Sequence, residues 1–156
     1  MDRLIFKQFE LTRGFFLKTI QEVSETTAKV QPDGFNNTIH WQIGHVLTVA
    51  EQVMFGFPDN TTHLPTNYTD LFGKGTKPAD WKGGVPAIKD LSIQLTDQLD
   101  RLQQIPAERF NKTLKEPFFG LETFGEMAGF ALLHEAGHMG QIKAMNRIIE
   151  HTRVKS

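Results

Sequence analysis

His134 and His138 stand four residues apart. On a helix, that spacing puts their imidazoles one above the other on a single face, within reach of one ion. Glu135 between them completes H-E-x-x-H, the helical zinc signature in which the glutamate is the general base of a metalloprotease. The pair shares the apolar arc of Phe130, Ala131 and Met145 and lies away from Lys143, Arg147 and Glu150. Burying two imidazoles without partners would cost roughly 1–3 kcal/mol each, and a shared ion offsets that cost. A metal site is therefore expected. Peptide hydrolysis is not, because the metzincin extension needs a glycine and a histidine where this chain has Gln141 and Ala144. Residues 139–156 continue the same helical pattern, so a third ligand has to come from upstream.

His45, in Trp41-Gln42-Ile43-Gly44-His45, is the leading candidate, against the plainer reading of a core histidine bonded to a carbonyl. Trp41, one turn earlier, shares its face and is expected to wall the site and meet substrate, while Gly44 lets another group approach closely. His63, in a long loop, is the rival ligand. His40 is read as a neighbour of the site or an exposed residue, and His151 as a cation suited to a helix C-terminus. Three neutral histidines with an open position form a catalytic type of zinc site, in which bound water ionises near neutrality. Nickel, iron and cobalt also accept imidazole. Glu135 is read either as the group that orients or deprotonates that water or as an exposed helix glutamate. Gln141, one turn past His138, is placed at a ligand or at a helix contact. Gly137 and Gly140 are expected to allow tight helix packing at some cost in helix propensity.

These side chains need helices to hold them. Ile5, Phe9, Phe16, Ile20 and Val23 recur at helical spacing from Asp2, a candidate N-cap, to about Ala28. Gln31-Pro32-Asp33-Gly34 breaks that helix. Asn37 or Thr38 caps a second one, which runs to about Phe55. Residues 56–85 show no sustained period and are rich in Pro, Gly, Asn and Thr. A connection of that length is often a lid or a binding loop. Pro86 suits the first turn of a third helix, whose stripe is Ile88, Leu91, Leu95, Leu99 and Leu102. Residues 106–121 fit a short hairpin or an extended loop, and Thr123 with Glu126 is a capping box opening a last helix to about Glu150. The short first link predicts that helices one and two are antiparallel neighbours. The long crossover permits helices two and three to run parallel, giving a four-helix bundle in one domain over residues 1–156.

Composition narrows the function. The chain has 156 residues, a formal net charge of −1 and no cysteine. Thiolate ligands and a cysteine nucleophile are excluded, so a metal here must be held by imidazole and carboxylate. No basic stripe suggests nucleic-acid binding, and no apolar run is long enough to span a bilayer. The N-terminus lacks the pattern of a secretory signal, so a cytoplasmic protein is expected. The 13 phenylalanines read mainly as core.

With Asn36-Asn37-Thr38-Ile39-His40-Trp41-Gln42-Ile43-Gly44-His45 and His134-Glu135-Ala136-Gly137-His138-Met139-Gly140-Gln141-Ile142 in view, the chain resembles the DinB/YfiT-like superfamily over essentially its whole length. The first motif matches that family's asparagine, tryptophan and Gly-His signature on helix two. The second matches its His-x-x-x-His-x-Gly-Gln signature on helix four, with Met139 where many relatives carry a basic residue. The resemblance implies an all-α four-helix bundle of up-down-down-up topology and a homodimer. It also implies zinc or nickel on His45, His134 and His138. Family members include S-transferases that use bacillithiol or mycothiol and a thiol-dependent isomerase, and the family is also labelled as metal-dependent hydrolases. A cysteine-free chain cannot supply its own thiol nucleophile, but a metal with an open position can activate one from outside. The expected function is a metal-dependent transferase that uses a low-molecular-weight thiol on an electrophilic small molecule. The alternatives are a metal-dependent hydrolase with Glu135 as base and a non-enzymatic metal-binding stress-response protein.

Overall fold

The computed structural model describes residues 2–155. Six helices and one hairpin follow in order: α1 Asp2–Gln21, α2 Glu25–Ala28, α3 Ile39–Phe55, α4 Tyr68–Phe72, α5 Ile88–Gln103, β1 Thr113–Phe118, β2 Leu121–Thr123 and α6 Phe124–Lys155. The four long helices form the bundle that the apolar periodicity predicts.

Local chemistry sets where the site-bearing helices begin. Thr38 is extended (φ −116°) and its hydroxyl accepts the Trp41 N–H at 3.2 Å, capping α3 so that the helix begins at Ile39. Gly56 closes α3 with φ 72°, a left-handed turn that glycine enters without a side-chain penalty. Thr123 and Glu126 form the expected capping box: the Glu126 N–H reaches Thr123 Oγ1 at 3.2 Å, and the Thr123 N–H reaches Glu126 Oε2 at 2.8 Å.

Several boundaries differ from the sequence reading. The first helix stops at Gln21, because Ser24 turns extended (φ −73°, ψ 153°) and its hydroxyl accepts the Thr27 N–H at 3.0 Å to start α2. The expected Asp2 cap falls on a side chain outside those described. Pro86 precedes α5, whose flanking residue is Ala87, and α6 extends past Glu150 to Lys155. Residues 107–123 form a 3-10 turn at Ala107–Asn111 followed by the antiparallel β1–β2 hairpin.

Two clusters of buried apolar side chains give each helix its direction. Phe16 and Ile20 of α1, Ile39 and Ile43 of α3, Leu91 and Leu95 of α5, and Ile142 and Met145 of α6 share one end. Phe9, Met54, Leu102 and Ala128 share the other. α1 and α6 therefore run one way, and α3 and α5 the other. The expectation that the first two long helices are neighbours is corrected, since α1 packs on α6 and α5 while α3 packs on α6, α4 and α5. The crossover is not an open lid. Its Leu64, Tyr68, Leu71 and Phe72 are buried, and α4 lies against α3. Gly44 makes that contact possible, because a Cβ there would collide with the Phe72 ring.

Across the middle of the bundle runs a buried polar chain. The Arg13 guanidinium donates to both Glu135 oxygens (Nε at 2.8 Å, Nη2 at 3.0 Å), to the Leu95 carbonyl and to Gln98 Oε1. The Gln98 amide donates in turn to Glu51 Oε2 at 2.6 Å, and Arg101 forks onto both Glu51 oxygens. Two cations thus balance two carboxylates across all four long helices.

Candidate metal centre

α3 supplies His45 and α6 supplies His134 and His138. One ligand atom from each lies within 4.8 Å of the other two, and these three form the metal-capable cluster among the described residues. The His134 and His45 Nε2 atoms are 3.2 Å apart.

The partners on the far side of two rings define what these nitrogens can do. His45 Nδ1 is 2.6 Å from the Phe72 carbonyl oxygen. A carbonyl only accepts, so Nδ1 carries the proton and Nε2 presents a lone pair. His138 Nδ1 is 2.9 Å from Gln42 Oε1. The Gln42 NH2 donates to Asn37 Oδ1 at 3.0 Å and meets Met145 Sδ at 3.1 Å, which fixes the amide with its oxygen toward the imidazole. His138 Nδ1 is therefore also the donor, and its Nε2 is free to ligate. Two ring nitrogens at 3.2 Å need a proton or a cation between them. A divalent metal fits this donor set: neutral imidazoles, fixed tautomers and outer partners of the kind that orient metal-bound histidines.

Trp41 lies flat on His45, with ring centroids 4.4 Å apart and planes 15° apart, and its indole N–H donates to Thr76 Oγ1 at 2.9 Å. It holds the plane of the ligand ring. Gln141 is exposed on α6 one turn past His138. Glu135 requires correction. It is buried, and both of its oxygens accept from Arg13, so the geometry brings it to the bundle interior and not to water at the cluster. Gly137 and Gly140 do not mediate helix packing, since a Cβ at either would meet nothing within 4 Å. His40 bonds to the Pro86 carbonyl, and His63 stays in the exposed part of the crossover; neither joins the cluster.

Burial, followed by repulsion from His138 and His45, lowers the His134 pKa to about 3. Burial, then His45, lowers that of His138 to about 4. His45 is lowered as well, chiefly by burial, against the opposing effect of its bond to the Phe72 carbonyl. All three are neutral near pH 7, as ligation requires. The same shifts make the metal-free fold sensitive to acid. Above the ordinary value of 6.5 both folded and unfolded chains are neutral at these positions; below it, the unfolded chain takes up protons that the native state refuses. Stability of the metal-free protein is thus expected to fall from pH 6.5 toward about 4. A His134→Leu/His138→Leu variant should show a flatter dependence of its urea midpoint over that range.

The sequence pattern of the DinB superfamily matches residues 8–142. The chain belongs to the DinB superfamily. The crystal structure of a conserved protein from Enterococcus faecalis has the same fold as this DinB chain. Its TM-score is 0.70 at 16% identity, with 97% of this chain and 98% of that chain covered. No curated protein matches the chain. No helix among the described residues is long and apolar enough to cross a membrane.

Two parts of this DinB centre escape a reading of histidine spacing. One is the Phe72 carbonyl, which every residue type could supply. The other is Gln42, which did carry a signal: a polar side chain among Trp41, Ile43 and Val46 on a helix that is buried almost all round. Gln42→Leu is expected to leave the fold intact and to weaken zinc binding by roughly 10–100-fold, the usual cost of losing an outer partner. Competition against a chromophoric chelator measures this.

Proposed function

We propose that this protein is a metal-dependent transferase that joins a low-molecular-weight thiol, of the bacillithiol type, to an electrophilic small molecule. The observation that carries the reading is the convergence of His45, His134 and His138, with two tautomers fixed by Phe72 and Gln42 and no fourth protein ligand in the cluster among the described residues. A divalent metal such as zinc or nickel, held by these three imidazoles, would supply the acidity that turns a thiol into a nucleophile near pH 7. The residues of the chain do the rest. The three imidazoles stay neutral, Trp41 and the Phe72 carbonyl hold the plane of His45, and Gln42 holds that of His138. In the reaction the thiol sulfur forms the new carbon–sulfur bond, the carbon–leaving group bond breaks with its electron pair on the leaving group, and the thiol proton passes to solvent. A hydrolase using Glu135 as base is less well supported, because that carboxylate is engaged by Arg13.

The test is consumption of thiol. Zinc- or nickel-loaded protein is incubated with a low-molecular-weight thiol and a panel of alkyl and aryl electrophiles, and free thiol is followed with time. Turnover that disappears on chelation supports the reading; thiol loss no faster than the uncatalysed rate across the panel overturns it.

A further inference from the structure

We propose that the β1–β2 turn and α6 build an aromatic shelf leading away from the three-histidine centre, which selects ligands carrying an extended apolar arm beyond the atom that binds metal. The inference rests on the metal-centre reading above and names the chemical class that the centre accepts.

A continuous line of rings leads away from the cluster. Phe130 lies 6.1 Å from His134 between centroids, Phe118 lies 5.5 Å from Phe130, and Phe119 lies 4.6 Å from Phe118. Leu133 and Gly137 share the Phe130 and His134 face of α6 by helical spacing. Leu133 is exposed, and Gly137 leaves open space where a side chain would stand. These side chains thus offer carbon surface, and the line ends against an imidazole of the metal centre.

The outermost residue breaks two local rules at once. Phe118 pairs with Leu121, so Phe119 and Gly120 form a two-residue hairpin turn. Both have positive φ, 49° and 80°. Such turns favour asparagine followed by glycine, because an ordinary side chain is strained in the left-handed region. A phenyl group at this position is also exposed to 81%. Turn geometry and solvent both favour a small polar residue there, and neither explains phenylalanine. Strain and exposure of this kind at the outer end of a line of rings that begins at His134 point to a contact with the far end of a ligand.

Phe119→Asn separates this role from a structural one, since asparagine suits the turn better than phenylalanine does. Full-length protein loaded with Co(II) is titrated with 4-phenylbenzyl mercaptan, whose second ring extends along the shelf, and with 2-mercaptoethanol, following visible absorbance. In the unsubstituted protein the biphenyl thiol should bind more tightly. In Phe119→Asn its affinity should fall by about tenfold, the order expected for one lost ring contact, with 2-mercaptoethanol unchanged and the melting temperature equal or higher. An unchanged ratio between the thiols overturns the shelf while leaving the metal reading in place. So does a lower melting temperature, which would make Phe119 a packing residue. A shift in oligomeric state with an unchanged ratio would assign the patch to a second copy of the chain. No spectral response to either thiol, or no bound cobalt, would overturn the metal–thiol reading and the shelf with it.

Discussion

Replacing His45 by alanine is expected to cost more zinc affinity at pH 7 than the roughly 10–100-fold attached to an outer partner, because it removes a direct ligand. The remaining pair on α6 would still offer two nitrogens, so binding should weaken sharply and not vanish. The metal content of protein purified without added metal, with chelator competition, measures the change. His63→Ala serves as the control, since His63 is exposed in the crossover and outside the cluster. Full occupancy in the His45 variant would sink the three-histidine centre. The variant should fold, because His45 sits in a helix whose ends are set by Thr38 and Gly56.

The largest loss of stability is expected from Glu135→Ala, about 3–5 kcal/mol, the usual consequence of leaving one partner of a buried pair uncompensated. Arg13 is 1% exposed and donates to both Glu135 oxygens, the Leu95 carbonyl and Gln98. Without the carboxylate its charge would stay buried against neutral acceptors. Urea denaturation followed by circular dichroism reads the effect. An Arg13→Met/Glu135→Leu variant should recover most of it, as buried pairs exchanged for apolar residues of similar volume often do. Glu135→Gln, compared per folded molecule, should keep thiol turnover. A Glu135→Ala variant within about 1 kcal/mol of the unsubstituted protein, the scale of an exposed pair, would show that the Arg13 pair is not what holds α1 to α6 here.

Sequence made local features legible and tertiary ones only in part. The His134–His138 pair follows from helical spacing alone, and the Thr123–Glu126 cap from spacing and residue type. His45 emerged because a metal site with two ligands on the last helix needed an inward-facing third. The protease motif alone places Glu135 at the site. One residue after His134 is about 100° round the helix, which turns it into the bundle. Arg13 carried the missing clue. It stands on the Phe9, Phe16 and Ile20 stripe of α1, where a cation demands a buried carboxylate. The break at Ser24 was readable as an N-cap, but apolar spacing continues through Val23 and hid it. The pairing of α1 with α5 and α6 was not readable, because a short link fixes only that two helices are close in sequence.

α6 is one unbroken rod of 32 residues that carries two of the three ligands. Its two imidazoles cannot drift apart, so the bite of the centre is governed by a single coordinate, the gap between α6 and α3. Anything that pries those helices apart releases the ion, and an ion that binds clamps them. Hydrogen exchange should register this as slowing at α3 and α6 together on metal addition, spreading to α4 through the Phe72 carbonyl. The protein would then work as a calliper, reporting occupancy of its centre as stiffness along one seam of the bundle.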